Sequence, residues 1–330
     1  DSLNKGMLLG KLALKGLLGN PYSRSVFSLV SWQIFKSGVL AGIFKRLNLH
    51  TLFHFDAAGL EFVNLACIES NVTRIGFHWS CFAQPNPSAV KCHDIFFVWG
   101  HHDLRIFLDS GSNAKNILFS GCFFKEPSNK EELGKGCEAL KTLKKNGAKL
   151  TLAIFDTTLH LNNFYKFFIQ WVLEDPNLGL LIKSKGPIGN SLREGELESL
   201  FSQALKTGRV HVLDHKTLPN DAAVLADFSV GIATISAISN AALKGAKVLY
   251  LDYERTDQSI LKPYCMFHSL GPNRCVFYDP ISLKNAVLEY TNDPSANPNL
   301  GDASPILDQI DAFLDNKAGE RIGEYVTWYV

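Results

Sequence analysis

The stretch ADFSVGIATISAISNAALKGAKVLYLD, residues 226–252, decides the fold class. A short apolar strand over 228–230 runs into Gly231, and a series of small hydroxyl residues leads into a helix over 235–244. Gly245 stops that helix, and a second apolar strand over 247–251 ends at Asp252. Strand, crossover helix and strand in such short succession form the building unit of a parallel sheet. The first turn of a helix leaves N–H groups unpaired and gathers the positive end of the peptide dipoles, so an anion is favoured there. Gly231 admits a close approach of the backbone, and Thr234 and Ser236 either add hydroxyl donors to that anion or cap the helix. Neither a full Walker pattern nor GxGxxG surrounds the turn, which argues against a P-loop and against a dinucleotide fingerprint.

The alternation extends in both directions. Upstream, strands are expected over 51–55, 74–77, 95–98 and 116–119. A crossover helix over 55–70 places Leu60, Val63, Ala66 and Cys67 on one face. The polar, Lys-rich run KEPSNKEELGKG, 125–136, reads as an interdomain connection leading into a helix over 137–145. A second series follows, with strands over 149–155, 180–183, 210–213, 228–230, 247–251 and 275–278. Its helices fall at 161–173, 194–206, 235–244 and 281–290, and two more at 306–314 and 317–329. Two α/β halves joined in this way place a cleft between the carboxyl ends of their strands, where open sheets bind ligands.

Bulk properties exclude several classes. The 330 residues suffice for about two domains, and 33 Lys plus Arg nearly balance 32 Asp plus Glu, unlike a nucleic-acid binder with its basic face. No window offers the roughly 18–20 uninterrupted apolar residues of a membrane span. The seven cysteines form no CxxC pair and have no histidine at zinc spacing, and they read as free thiols of a reducing, cytoplasmic compartment. On that reading the Asn71-Val72-Thr73 sequon carries no glycan. The chain opens on Asp1 without Met or a secretory leader, as a trimmed piece of a longer chain does. Residues 1–50 carry Lys5, Lys11, Lys15, Arg24, Lys36, Lys45 and Arg46 against one acid, Asp1, and read as helices. Within them MLLGKLALKGLLG, 7–19, interleaves Lys with Leu. It either rests on anionic lipid at the inner face of a membrane or packs on its own domain with the lysines solvated.

The opening stretch resembles the donor-side motif of GT-B glycosyltransferases of the bacterial surface-polysaccharide kind. It is similar also to CDP-glycerol glycerophosphotransferases and, more remotely, to UDP-GlcNAc 2-epimerases. Asn240-Ala241 stands where the pattern has Glu-Ala, so hydrogen bonding is kept and the charge is not. NVTRIGFHWSCF (71–82), FFVWGHHDLRIFLDSGSNAKNILFSGCFF (96–124) and LTLAIFDTTLHLNNFYKFFIQWVLEDPNLGLLIKSKGP (150–187) fit the same resemblance in matching order. It implies an α/β chain of two Rossmann-like domains facing a cleft, the N-terminal one reduced or truncated and carrying extra helices. The division is a helical segment 1–50, an acceptor-side domain 51–130, a nucleotide domain 131–315 and a helix 316–330 packing back on the first domain.

The resemblance implies transfer of a sugar from a nucleotide-activated donor to a glycan or polysaccharide acceptor, with no cofactor and no metal. The donor phosphates would meet Gly231, Thr234, Ile235 and Ser236, with Lys183 and Lys185 as cations and His215 and Leu218 bordering the base. Asn240, Ser80 and Glu254 are candidates for sugar hydroxyls, and Asp252 for a sugar or metal contact. His78 is a general base or phosphate donor, or else a structural histidine; Asp56 is a base or a helix cap. His101 and His102 follow Trp99-Gly100 at a strand end facing the cleft, and Asp156 sits near the phosphates or caps a helix. The rival readings are a nucleotide-sugar epimerase and a non-catalytic nucleotide-binding module of a larger synthase.

Overall fold

A computed structural model describes residues 10–11, 14, 19–56, 61–78, 80–81, 84–86, 90–123, 130–155, 162–183, 192, 195–214, 216–232 and 236–329. The first unit begins with a long helix, α1 (Pro21–Arg46). Asn20 caps it by accepting from the Ser23 N–H at 2.8 Å, and Pro21 supplies the preset φ of a first helical residue. There follow β1 (Thr51–Asp56), α2 (Glu61–Ser70), β2 (Thr73–His78), β3 (Ile95–Val98), α3 (His101–Asp109) and β4 (Asn116–Phe119). The four strands form one parallel sheet in the order β1-β2-β3-β4.

The second unit runs α4 (Lys130–Lys145), β5 (Leu150–Phe155), α5 (Asn162–Glu174), β6 (Leu178–Lys183), α6 (Gly195–Lys206) and β7 (Val210–Leu213). It continues through α7 (Pro219–Val224), β8 (Phe228–Ile232), α8 (Ser236–Leu243), β9 (Val248–Leu251), β10 (Val276–Phe277), α9 (Pro280–Asn292), α10 (Leu307–Ile310) and α11 (Ala318–Tyr329). Its sheet is parallel in the order β10-β9-β8-β5-β6-β7. Every residue of β5, β6 and β8 is buried, as strands covered on both faces require. Alternate residues serve two layers: Leu152 and Ile154 join Phe164, Phe168 and Trp171 on one face, and Ala153 and Phe155 join Leu181 and Tyr250 on the other. Asp227 fixes the central register by accepting from the Thr151 N–H and Oγ1–H, both at 2.7 Å.

Three expectations are corrected. The run 125–136 is not all connection, because α4 already begins at Lys130; its Glu131–Lys135 and Glu138–Lys141 pairs sit one turn apart and support a solvated helix. The helix expected over 306–314 ends at Ile310, because Asp311 Oδ1 accepts from the N–H groups of Phe313 and Leu314 and turns the chain. Among the described residues α1 is long and apolar enough to cross a membrane by length and composition, since Lys36 interrupts its apolar run without outweighing it.

Contacts at two places near the strand ends join the units, besides those of the segment after β9. Helix α11 returns to the first sheet, where Ile322 packs with Ile75, Ile95 and Phe97, and Arg321 donates to the Ser120 carbonyl at 3.0 Å. Trp99, just after β3, is buried with Ile238 and Ala241 of α8 and Ile310 of α10 in one apolar cluster. Next to it, a Cβ on Gly100 would lie 2.5 Å from the Gln309 carbonyl oxygen and 2.7 Å from the Ile310 carbonyl carbon. Both obstacles are backbone and cannot rotate away. Gly100→Ala is therefore expected to lower stability by about 1–3 kcal/mol through overpacking at the domain joint. Thermal unfolding checks this, and an unchanged midpoint would show that the joint is looser than the packing indicates.

Candidate active site

The second sheet grows in one direction from β5 to β6 and β7, and in the other from β8 to β9 and β10. The chain order reverses between β5 and β8, and in open α/β sheets ligands bind outside the strand carboxyl ends at such a switch point. Strand β8 ends there and α8 opens at Ser236, so the stretch singled out in the sequence occupies the switch point. Gly231 is corrected in one respect: it lies within β8, opposite Tyr250, and the strand runs on to Ile232. Thr234 and Ile235 lie outside the described residues, as do Lys185, His215 and Asp156.

Lys183 ends β6, buried and paired in register with Phe155 of β5, which brings its cation to the same edge of the sheet. Asn240 lies one turn into α8; its Oδ1 is buried and has no hydrogen-bond partner among the described residues. Leu218 is the exposed residue preceding α7.

At the end of β9 the structure assembles a group that sequence reasoning found only in part. Asp252 is buried, and its Oδ2 accepts from the Thr256 N–H and Oγ1–H at 2.8 Å and faces His268 Nε2 at 2.9 Å. The Tyr278 hydroxyl donates to Asp257 Oδ2 at 2.9 Å. One ligand atom from each of Asp252, Asp257 and His268 lies within 4.8 Å of the others, the candidate cation cluster among the described residues. Asp252 and His268 already share a hydrogen bond and Asp257 is held by Tyr278, so the group acts as a knot that fixes the segment after β9. Asp252 stood out as a strand end, but His268 follows an irregular segment of short 3-10 turns whose sequence has no period to place it. Glu254 is exposed beside the knot.

His78 is the main correction. Its side chain is fully buried, Nδ1 donates to the Ser80 carbonyl at 2.9 Å, and Nε2 accepts from the Trp99 N–H at 3.1 Å. Both ring nitrogens are committed to backbone, and burial, helped by the nearby charges of Lys91 and His102, pushes the imidazole down to about 3. The ring is thus neutral beside Asp103, whose carboxylate lies 3.7 Å from Nε2. A base needs a free lone pair in reach of a substrate proton, and His78 has none. Ser80 contributes its carbonyl to this arrangement. Of the histidine pair, His102 is buried, while His101 is exposed at the start of α3 with its ring 4.7 Å from that of Phe119. Asp56 ends β1 opposite His78 in the ladder, and its side chain is outside the described residues.

Two parallel Rossmann-like sheets, carboxyl ends toward a shared joint and the last helix crossing back to the first, define the GT-B fold. Solved structures share it. The sucrose-phosphate synthase of Thermosynechococcus elongatus is similar at 11% identity over 91% of this chain and 79% of its own, with a TM-score of 0.54. Anabaena HepE, solved with UDP and glucose, is similar at 12% identity over 88% and 81%, with a TM-score of 0.56. The UDP-GlcNAc 2-epimerase of Neisseria meningitidis, bound to UDP-GlcNAc, is similar at 10% identity over 91% and 81%, with a TM-score of 0.55. At these identities the likeness is one of fold. No protein-family model matches the chain, and no curated protein sequence matches it.

Replacing His78 with Ala leaves the Trp99 N–H buried without an acceptor, an expected loss of about 1–3 kcal/mol in urea unfolding. Unchanged stability with abolished turnover would return His78 to catalysis. His93, also buried, is likewise pushed down to about 3 by burial and the neighbouring His54. An unfolded imidazole titrates near 6.5, so below about that pH only the unfolded chain takes up these protons. Stability is then complete above pH ~6.5 and falls toward pH ~3, by up to about 1.4 kcal/mol per pH unit for each histidine. Urea midpoints measured across this window check the slope, and a flat profile would contradict it.

Proposed function

We propose that the chain is a glycosyltransferase that moves a sugar from a nucleotide-activated donor to a glycan or polysaccharide acceptor without a metal ion. The observation that carries this reading is the switch point of a GT-B fold, where β8 hands over to α8 with a buried lysine two strands along the same edge of the sheet. The donor diphosphate would sit at the amino end of α8, where unpaired N–H groups and the helix dipole favour an anion. Ser236 and the stretch holding Thr234 and Ile235 would supply donors, and Lys183 the cation that offsets the leaving charge. Asn240 Oδ1, without a partner among the described residues, would accept from a sugar or ribose hydroxyl. With His78 withdrawn, Asp56 and His101 are the remaining candidates for activating the acceptor. A cytoplasmic site of action is supported by seven cysteines that are all free.

An epimerase acting on a nucleotide sugar alone is the second reading, favoured by the likeness to UDP-GlcNAc 2-epimerases. The two part on what is consumed. A transferase releases nucleotide only when acceptor is present, whereas an epimerase converts its nucleotide sugar unaided.

A thermal-unfolding panel with CMP, CDP, UMP, UDP and GDP tests the shared premise. One nucleotide at about 100 times its dissociation constant is expected to stabilise the chain by about 2.7 kcal/mol. Lys183→Met is expected to weaken that nucleotide about tenfold or more, the loss of one charge-assisted hydrogen bond. No response to any nucleotide would overturn the reading, and binding without turnover in either assay would favour a non-catalytic nucleotide-binding module.

A further inference from the structure

A long exposed apolar surface lies on α1. One side of that helix is part of the core, where Ala41 and Phe44 pack with Ala66, Cys67 and Val72. The opposite side presents Trp32, Phe35, Val39 and Ile43, spaced i, i+3, i+7 and i+11 and each 46% exposed or more. The Trp32 and Phe35 rings stack at 5.7 Å. Tyr22, Val26, Leu29 and Val30 are also exposed along the first turns, on the side of the helix that Ala41 and Phe44 occupy further on, and Leu65 and Ile68 of α2 lie exposed as well. Soluble monomers seldom leave so continuous an apolar face in water.

The charges indicate what covers it. Helix α1 contains Arg24, Lys36, Lys45 and Arg46 and no acidic residue. Arg24 lies near one end and Lys45 and Arg46 at the other, while Lys36 holds its ammonium 5.0 Å from the Trp32 ring and 5.1 Å from that of Phe62. An apolar stripe with cations at both ends and a lysine laid along it matches a negatively charged interface, into which the rings sink while the cations reach the headgroups. A second copy fits less well, because a two-fold pairing of α1 with itself sets Arg24 against Lys45 and Arg46. Crossing the bilayer would strip Ala41 and Phe44 from the core, so the helix lies flat.

We propose that the outer face of α1 docks the protein on an anionic lipid bilayer, the helix lying in the plane of the interface. The partner surface is α1 itself, downstream of the Lys-Leu run at 7–19. This proposal does not rest on the glycosyltransferase reading.

Co-sedimentation of the full chain with vesicles tests it, using pure phosphatidylcholine and an equal mixture of phosphatidylcholine and phosphatidylglycerol. The chain is expected to pellet with the mixed vesicles, less so as salt is raised, and to stay in solution with the neutral ones. The double variant Trp32→Ser/Phe35→Ser is expected to lower partitioning about tenfold or more, because its two rings supply much of the inserted area. Lys45→Glu/Arg46→Glu, altered only at exposed charges, is expected to lose the preference for anionic lipid, and thermal unfolding confirms that both variants fold. A wild-type chain that stays in solution with anionic vesicles overturns the proposal, and a concentration-dependent dimer in that case would identify a second copy as the cover. Equal binding by both variants overturns it as well.

Discussion

At the joint between the sheets one residue, Trp99, is bonded to both domains. Its N–H is held by His78 Nε2, its carbonyl accepts from the Ala312 N–H at 3.0 Å, and its indole fills the apolar cluster shared with α8 and α10. The first bond ties it to β2 and the second to the chain after α10, so one residue's backbone is anchored in both domains. This arrangement requires a neutral His78, because protonating Nε2 would remove the acceptor of the Trp99 N–H. The low imidazole pKa and the domain joint are therefore one constraint seen from two sides. The approach of Gly100 to the 309–310 backbone completes it, since any side chain there would hold the domains apart.

That constraint also explains why the sequence misleads at His78. An imidazole after an apolar strand looks the same in sequence whether the strand end opens on solvent or meets a second domain. Only the Trp99 packing distinguishes the two, and it involves residues more than a hundred positions away in the chain. The strands of the second sheet were legible for the opposite reason: β5 and β6 are buried on both faces and read as unbroken apolar runs between polar ones. The turn after β8 was legible as a strand-to-helix junction, but its place at the switch point was not, because strand order is absent from local pattern. Helix α4 was half missed because Lys, Glu and Gly fill its first turns, the composition of a linker. Helix α1 lies in the segment 1–50 that read as helices, but its span was not marked out, because its apolar residues are spread around the helix and show little period.

The knot at Asp252 bears on where a ligand could enter. One buried carboxylate gathers two donors from Thr256 and a third contact from His268, and so fixes a segment that lacks the longer ladders of a helix or strand. That segment reaches the first domain, where Arg105 donates to the Pro263 carbonyl at 2.9 Å and the Tyr264 hydroxyl donates to Asp109 at 2.8 Å. Arg105 also lies over the Tyr264 ring at 5.4 Å. The segment thus forms a strap from the end of β9 to α3, across one side of the joint. In the sheet order β9 and β10 lie on one side of the switch point and β6 on the other. The strap therefore closes the β9 side, and the buried lysine at the end of β6 stands on the side away from it. On the proposed reading, a nucleotide phosphate at α8 lies between a hydrogen-bonded wall that offers it a carboxylate already satisfied by other donors and an edge that offers it a cation. On that reading the diphosphate would be drawn toward the β6 side and away from the buried Asp252 carboxylate.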